Sequence, residues 1–232
     1  MKKLIRSFLP ILIISSQVFA IAGFGLHLDR SMYSVAETTT PLIVEDLGEV
    51  ASITHHGFDN GFGIGGYLYI DAIPVIDIDL EGNLLISPYD FSFIQNNVVS
   101  LDKKQFGWVA GSGYLTLQKK LFKLSIPLLA KAKLTAGAGV NSHSSIPMID
   151  QNMMESVMGE GNLGSGSLDT DELIKYLKDN KVSSTGFHIQ TGVQFKRLML
   201  DSFLYYRQVF ADNVIPSAKV FGCLNLRLGM GF

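Results

Sequence analysis

Of the 232 residues only one is cysteine, Cys223, and only one is tryptophan, Trp108. A single cysteine excludes an intrachain disulfide framework and any zinc site of the CxxC type. Charge is also scarce: 17% of residues are charged, and the net charge of −2 offers no basic surface for nucleic acid. Past the N-terminus there is no apolar run of the roughly 18 residues that a membrane-crossing helix requires. The two glycine-rich stretches, residues 61–66 and 159–166, lack the lysine of a phosphate loop. Yet the mean hydropathy is positive, +0.26, and 23 residues are glycine. The chain is apolar with no long helix to account for it.

The N-terminus has a pattern of its own. Lys2, Lys3 and Arg6 precede an apolar stretch from Phe8 to Ile14, and Val18-Phe19-Ala20 supplies a small-residue cleavage site, with an alternative after Ala22. This order predicts a Sec-type signal peptide over residues 1–20, followed by an exported domain over 21–232. No cysteine sits at the cleavage point, so a lipid anchor is not expected. Removing three bases leaves 16 basic against 21 acidic residues, a net charge of −5.

The rest of the chain is dominated by a period of two, the signature of strands with two unlike faces. Phe24, Leu26 and Leu28 alternate with Gly25, His27 and Asp29. Phe62, Ile64, Leu68 and Ile70 alternate with Gly63, Gly65, Tyr67, Tyr69 and Asp71, and Ile76, Ile78, Leu80 and Leu84 with Asp77, Asp79, Glu81 and Asn83. The pattern recurs over residues 106–118, 127–140, 186–195 and 198–210, and finally over Cys223 to Phe232. Eight strands are predicted. Their connections, about 31–60, 73–75, 87–105, 119–126, 141–185, 196–197 and 211–217, alternate between long and short. In an up-and-down sheet this places short turns at one end and extended loops at the other. Loops of such length tend to be functional. Two of them carry helical patterns: Ile43, Val44, Leu47, Val50 and Ala51 in the first, and Leu173, Ile174 and Leu177 in the third. The third also has Asp169 and Glu172 spaced as a capping box, and Lys175, Lys178 and Lys181 toward its end.

A signal peptide, one aliphatic face on nearly every strand and asymmetric loops together favour a membrane barrel, which satisfies every backbone group without an open edge. The last strand adds a specific feature. Leu224, Leu226, Leu228, Met230 and Phe232 fall on alternate positions, ending on a terminal aromatic. This resembles the assembly signal of bacterial outer-membrane β-barrel proteins of the small eight-stranded type, and the resemblance extends over most of the chain. It implies an all-β fold, an eight-stranded antiparallel up-and-down transmembrane β-barrel with short helices in the extracellular loops. It also implies outer-membrane lipid as solvent and the barrel-assembly machinery as a partner during biogenesis. A monomer is expected, with an extracellular ligand for the loops as a further partner.

The polar face would then line the lumen. It carries the acids Asp29, Asp71, Asp77, Asp79, Glu81 and Asp201, and the bases Lys131, Lys133, Arg207 and Arg227, joined by His188 and His27. Eight strands leave an interior just wide enough for side chains to fill, and unpaired charges there are costly. Cross-lumen ion pairs and a plugged barrel are therefore expected, with no enzymatic activity, cofactor or metal. Three other readings use the same residues. A narrow channel would keep a path through these charges, and a soluble periplasmic lipid carrier would invert the faces. A lipid-modifying enzyme would need His55, His56 or His143 beside a serine such as Ser142, Ser144 or Ser145. Sequence neighbours point apart, however, and a third ligand that would make His55-His56 a metal site is lacking, Asp59 being the nearest carboxylate in sequence.

Overall fold

In the computed structural model, the described residues are 22–44, 48–71, 76–95, 98–126, 130–158, 170–197 and 200–231. The signal-peptide segment, the turn at 73–75, Asp169, Leu47 and Phe232 lie outside them. Ten strands form: β1 (Ala22–Val35), β2 (Thr38–Val44), β3 (Gly48–His55), β4 (Phe58–Ile70), β5 (Asp77–Gln95), β6 (Val98–Ile126), β7 (Ala130–Ser145), β8 (Val182–Arg197), β9 (Leu200–Ile215) and β10 (Ala218–Gly231). Eight of them close a ring in chain order. From β1 the ladder runs through β4, β5, β6, β7, β8, β9 and β10, each antiparallel to the next, and β10 returns to β1. The closing register sets His27 opposite Arg227 and Asp29 opposite Asn225.

Alternation decides what each face meets. Leu26, Ile64, Leu117 and Leu228 point outward and are more than half exposed, while His27, Tyr67, Thr116 and Arg227 on the same strands are buried. The faces are therefore aliphatic outside and polar inside, and the inverted arrangement of a soluble lipid carrier is not the one that forms. Glycines on the inner face make room for the large lumen side chains. At Gly65 a Cβ would overlap the Gly82 carbonyl and the His27 ring.

The long connections differ from expectation. The described residues of 31–60 are mostly strand, not a loop with a helix. The β1–β4 hairpin continues through a break at residues 36–37 and 56–57, so that Val35 opposite Phe58 is followed by Thr38 opposite His55. Ile43 and Val44 belong to β2, and Val50 and Ala51 to β3. The local helical spacing is overridden because Ala51 to His55 add a ladder onto Gln95 to Phe91 of β5. Residues 87–95 and 98–105 are likewise the upper parts of β5 and β6. Together β2, β3 and these upper strands form a sheet that stands beyond the barrel. The 119–126 connection is strand as well: β6 spans 29 residues, with a bulge between Lys120 and Phe122. β8 extends through the expected turn at 196–197 to Arg197, and the β9–β10 connection is tighter than the expected 211–217, β9 reaching Ile215 before a turn at 216–217.

Among the described residues, helix occurs only in the connection from β7 to β8, as α1 (Gln151–Met158) and α2 (Thr170–Asp179). Asp150 caps α1, its Oδ1 accepting from the Met153 amide at 2.8 Å. α2 has Asp171 and Glu172 in its first turn and Lys178 in its last, as the helix dipole favours. Of the expected apolar stripe, Leu173 and Leu177 pack inward with Tyr176, whereas Ile174 stays exposed. Ile149, Met153 and Val157 enter the mouth of the barrel against a cluster that includes Tyr89, Trp108, Val209 and Phe221.

Candidate functional site in the barrel lumen

Below that apolar cap the lumen is filled by charge. Glu81 on β5 is the centre. Arg207 of β9 reaches it from the far side of the barrel with two parallel bonds, Nη1 to Oε1 at 2.9 Å and Nη2 to Oε2 at 2.6 Å. This is the bidentate fork that suits guanidinium to carboxylate. The remaining Arg207 donors go to Gln190 Oε1, at 3.1 Å from Nε and 3.0 Å from Nη2, and the guanidinium lies 4.0 Å from the centroid of the Tyr114 ring.

Arg227 of β10 completes the centre. Its Nη2 donates to Glu81, its Nη1 to Asp79 Oδ2 at 2.6 Å, and its Nε to Asn225 Oδ1 at 2.8 Å. The faces of Tyr67 and Tyr205 flank it at 4.9 and 4.7 Å. Asn225 donates in turn to Asp29 and to Glu81, and Asn83 donates to Asp29. The His27 ring sits 3.2 Å from Asp29 Oδ1 and 3.3 Å from the Gly82 carbonyl.

A second cluster lies at the short-turn end. Asp71 accepts from Lys120 and, at 2.9 Å, from Lys133, and Lys120 also lies 3.4 Å from Asp77. Asp201 accepts from Tyr69 and from Gln194 at 3.1 Å, with Lys196 at 3.6 Å. Between the two clusters Tyr67, Tyr69, Phe203 and Tyr205 form an aromatic layer.

His188 belongs to neither. It lies 2.8 Å from Thr116 Oγ1 and 3.4 Å from Asn141 Nδ2. Asn141 Oδ1 is 3.0 Å from His143 Nε2, and His143 Nδ1 is 2.7 Å from Ser112 Oγ. His143 was expected in a loop with Ser142, Ser144 and Ser145. It is instead an inward residue of β7, while Ser142 and Ser144 point outward. The order hydroxyl, imidazole, amide is that of a hydrolytic triad. The ring is only 3% exposed, however, closed in between Tyr114 and Phe221, so it is packed within the lumen rather than open to a substrate.

His27, Asp29 and Glu81 bring one potential ligand atom each within 4.8 Å of one another. The geometry does not make a metal site. Glu81 is already occupied by two guanidinium groups, and Asp29 by Asn83 and Asn225, so a cation would have to displace four donors beside two fixed positive charges.

The lumen thus brings Asp29, Asp79, Glu81, Arg207 and Arg227 into one network, and Asp71, Asp77 and Lys133 into another. Lys131 faces Lys196 and Ser125 by register, and its side chain lies outside the described residues. Leu224, Leu226, Leu228 and Met230 stand outward on β10. Attention to charge alone missed the neutral members, Asn225, Gln190, Tyr114, Tyr67 and Tyr205, although alternation places all of them inward. Lys120 was hidden by the bulge beside it.

Outside the barrel, His55 donates from Nε2 to the Ile149 carbonyl, and the Tyr89 hydroxyl accepts from the Ile149 amide at 3.0 Å. Burial holds the His55 pKa below its usual value, against the pull of the Ile149 carbonyl and Asp150, and burial pushes Tyr89 up to about 12. These two side chains fasten the segment that leads into α1.

No protein-family model matches the chain, and no curated protein sequence matches it. Among solved structures, the outer membrane protein OprG from Pseudomonas aeruginosa is similar with a TM-score of 0.50 at 9% identity, covering 92% of this chain and 96% of that one. Ail, the attachment invasion locus protein of Yersinia pestis, has a TM-score of 0.37 at 10% identity, covering 92% and 99%. The outer membrane protease OmpT from Escherichia coli has 0.29 at 13%, covering 91% and 94%. With its closed ring of eight strands and aliphatic exterior, the chain has the fold of the small transmembrane β-barrels represented by OprG.

Proposed function

We propose that the chain is an integral protein of the bacterial outer membrane, closed to solutes, whose role is structural or interactive rather than enzymatic. The observation that carries this is the filling of the lumen. Arg207, Arg227 and Glu81 are almost wholly buried across the barrel, and α1 seats Met153 and Val157 in its mouth. A lumen packed in this way leaves the projecting sheet and the two helices as the parts that meet other molecules. Export by the N-terminal segment and assembly through the Leu224 to Phe232 pattern belong to the same reading, as do a monomeric state and a ligand or partner outside the cell.

Conductance in planar bilayers tests it. The purified, heat-modifiable barrel should insert without giving steady current steps. Reproducible open steps from the unaltered protein would refute the plug and establish a narrow channel for small solutes.

A further inference from the structure

Beyond the barrel, the break in the β1–β4 hairpin brings Glu37 and His56 beside Ser92 of β5. At Gly57 a Cβ would lie 3.1 Å from the Val35 carbonyl and 3.3 Å from the Glu37 amide, so the two sides of the break approach closely. The His56 amide donates to the Asp90 carbonyl at 2.9 Å, which fixes the residue against β5. Its ring is then held from both sides. Nδ1 lies 2.9 Å from Glu37 Oε2, and Nε2 lies 3.2 Å from Ser92 Oγ. A carboxylate on Nδ1 keeps the ring proton there and leaves Nε2 to accept from the hydroxyl.

The order is nucleophile, base and orienting acid. It differs from the row of Ser112, His143 and Asn141 in two respects. Its third member carries charge, and it is open to solvent: the His56 side chain is 26% exposed and that of Glu37 61%, whereas His143 is buried. Thr54, paired opposite Ser92, shares its hydroxyl with Thr39 at 2.9 Å, so Ser92 is the hydroxyl of that row given to the imidazole. The β5–β6 ladder also slips here. Phe91 pairs with Lys104 and Phe93 with Leu101, so Asp102 and Lys103 stand against Ser92 alone. Such a bulge leaves backbone groups outside the ladder and re-aims side chains. Lys103, 3.3 Å from Asp90 on the same face as Ser92, thereby comes beside the hydroxyl. A cation there meets the charge that develops on an attacked carbonyl oxygen.

We propose that Ser92 is a nucleophile that takes an acyl group from an ester approaching the projecting sheet. Ser92 Oγ bonds to the ester carbonyl carbon while its proton passes to His56 Nε2. The ester C–O bond then breaks, and the leaving alcohol carries that proton away from Nε2, leaving acyl-Ser92 and a neutral imidazole. Glu37 is a positioning residue that holds the ring and its tautomer. The product is a covalent tether on the part of the molecule that meets others. This goes beyond the plugged barrel and does not depend on the lumen being closed.

The test is acetylation of the full barrel in micelles by p-nitrophenyl acetate, followed through p-nitrophenolate release and located by peptide mass spectrometry. The unaltered barrel should carry its acetyl group on Ser92, and Ser92→Ala should abolish that label. His56→Ala should slow labelling about 100-fold, and added imidazole should restore part of the rate, a gain that lost packing alone would not give. Glu37→Gln should slow it about five-fold, because the Glu37–His56 pair is exposed, and Glu37→Asp should keep more of the rate than Glu37→Gln. Heat-modifiable migration of each variant shows that the barrel has formed, so a label lost from a folded chain reports chemistry. Acetyl groups spread over other serines and lysines without preference for Ser92 overturn the proposal, and so does a Ser92 label that forms as fast without His56. Open conductance steps would refute the plug and leave this result standing.

Discussion

Replacing Glu81 by methionine should cost about 3–5 kcal/mol of folding stability, the range for removing one partner of a buried ion pair. The size follows from what remains. Glu81 accepts two bonds from Arg207, one from Arg227 and one from Asn225, and the side chains of Glu81 and both arginines are at most 1% exposed. In the variant Arg227 still has Asp79 at 2.6 Å. Arg207 keeps the Gln190 amide oxygen and the face of Tyr114, neither of which carries charge. An uncompensated guanidinium would then sit across the centre of the lumen. Arg207→Met alone should fall near the bottom of the same range, because Glu81 retains Arg227 and Asn225. The double variant removes a charge of each sign, so its cost should be below the sum of the two by about 2–3 kcal/mol. Urea unfolding of the micelle-bound barrel, followed through the buried Trp108, would measure all three. With a slope near 2 kcal/mol/M, the Glu81→Met midpoint should drop by about 1.5–2.5 M. A loss under about 1 kcal/mol, or additive single substitutions, would refute the idea that this pair holds the lumen together.

Gly65→Ala places a methyl group on the Gly82 carbonyl and the His27 ring, and should cost about 1–3 kcal/mol in the same assay; a neutral result would mean that the inner wall yields freely there. Because burial depresses the His55 pKa, protonation opposes the folded arrangement. The seating of α1 should be strongest above pH 6.5 and weaken as pH falls through 6.5 toward the depressed value. Amide exchange over residues 151–158 at pH 8 and pH 5, corrected for intrinsic rates, would show it, and His55→Gln should remove the difference. Deleting Phe232 should lower the yield of assembled barrel in cells while leaving refolding of the purified chain into micelles unchanged; undiminished assembly would count against the assembly-signal reading.

The barrel was legible because lipid and lumen write opposite demands on alternate residues of one strand. Leu80 and Glu81, or Leu226 and Arg227, declare their faces from sequence alone. Where that demand ends, legibility ends. In the sheet beyond the barrel Tyr89, Phe91 and Phe93 point inward, but Asp90 and Ser92 on the other face meet Lys103, His56 and solvent rather than lipid, so the contrast weakens and residues 87–105 read as a loop. The Ile43 to Ala51 stripe fits a helical period, and only the ladder from β3 onto β5, set by tertiary structure, converts it to strand. At Lys120 a single extra residue shifts the parity of the strand, so a regular period of two breaks at the one lysine that joins Asp71 and Asp77.

Which acid meets which base was not legible either, because it is decided by closure. Asp29, Asp79 and Glu81 lie on β1 and β5, early in the chain, and the cations that answer them lie on β9 and β10. The bonds from Arg207 and Arg227 to Glu81 span 126 and 146 residues, and that from Asn225 to Asp29 spans 196. No hairpin can make them. An open sheet would hold three carboxylates on one side and two guanidinium groups on the other, each exposed to whatever solvent the incomplete wall admitted. When β10 pairs with β1, the register that sets Asp29 opposite Asn225 also carries Arg227 to Asp79 and Glu81. Sealing the backbone edge and neutralising the lumen are therefore a single step, and the strand that performs it also carries the outward Leu224 to Met230 row.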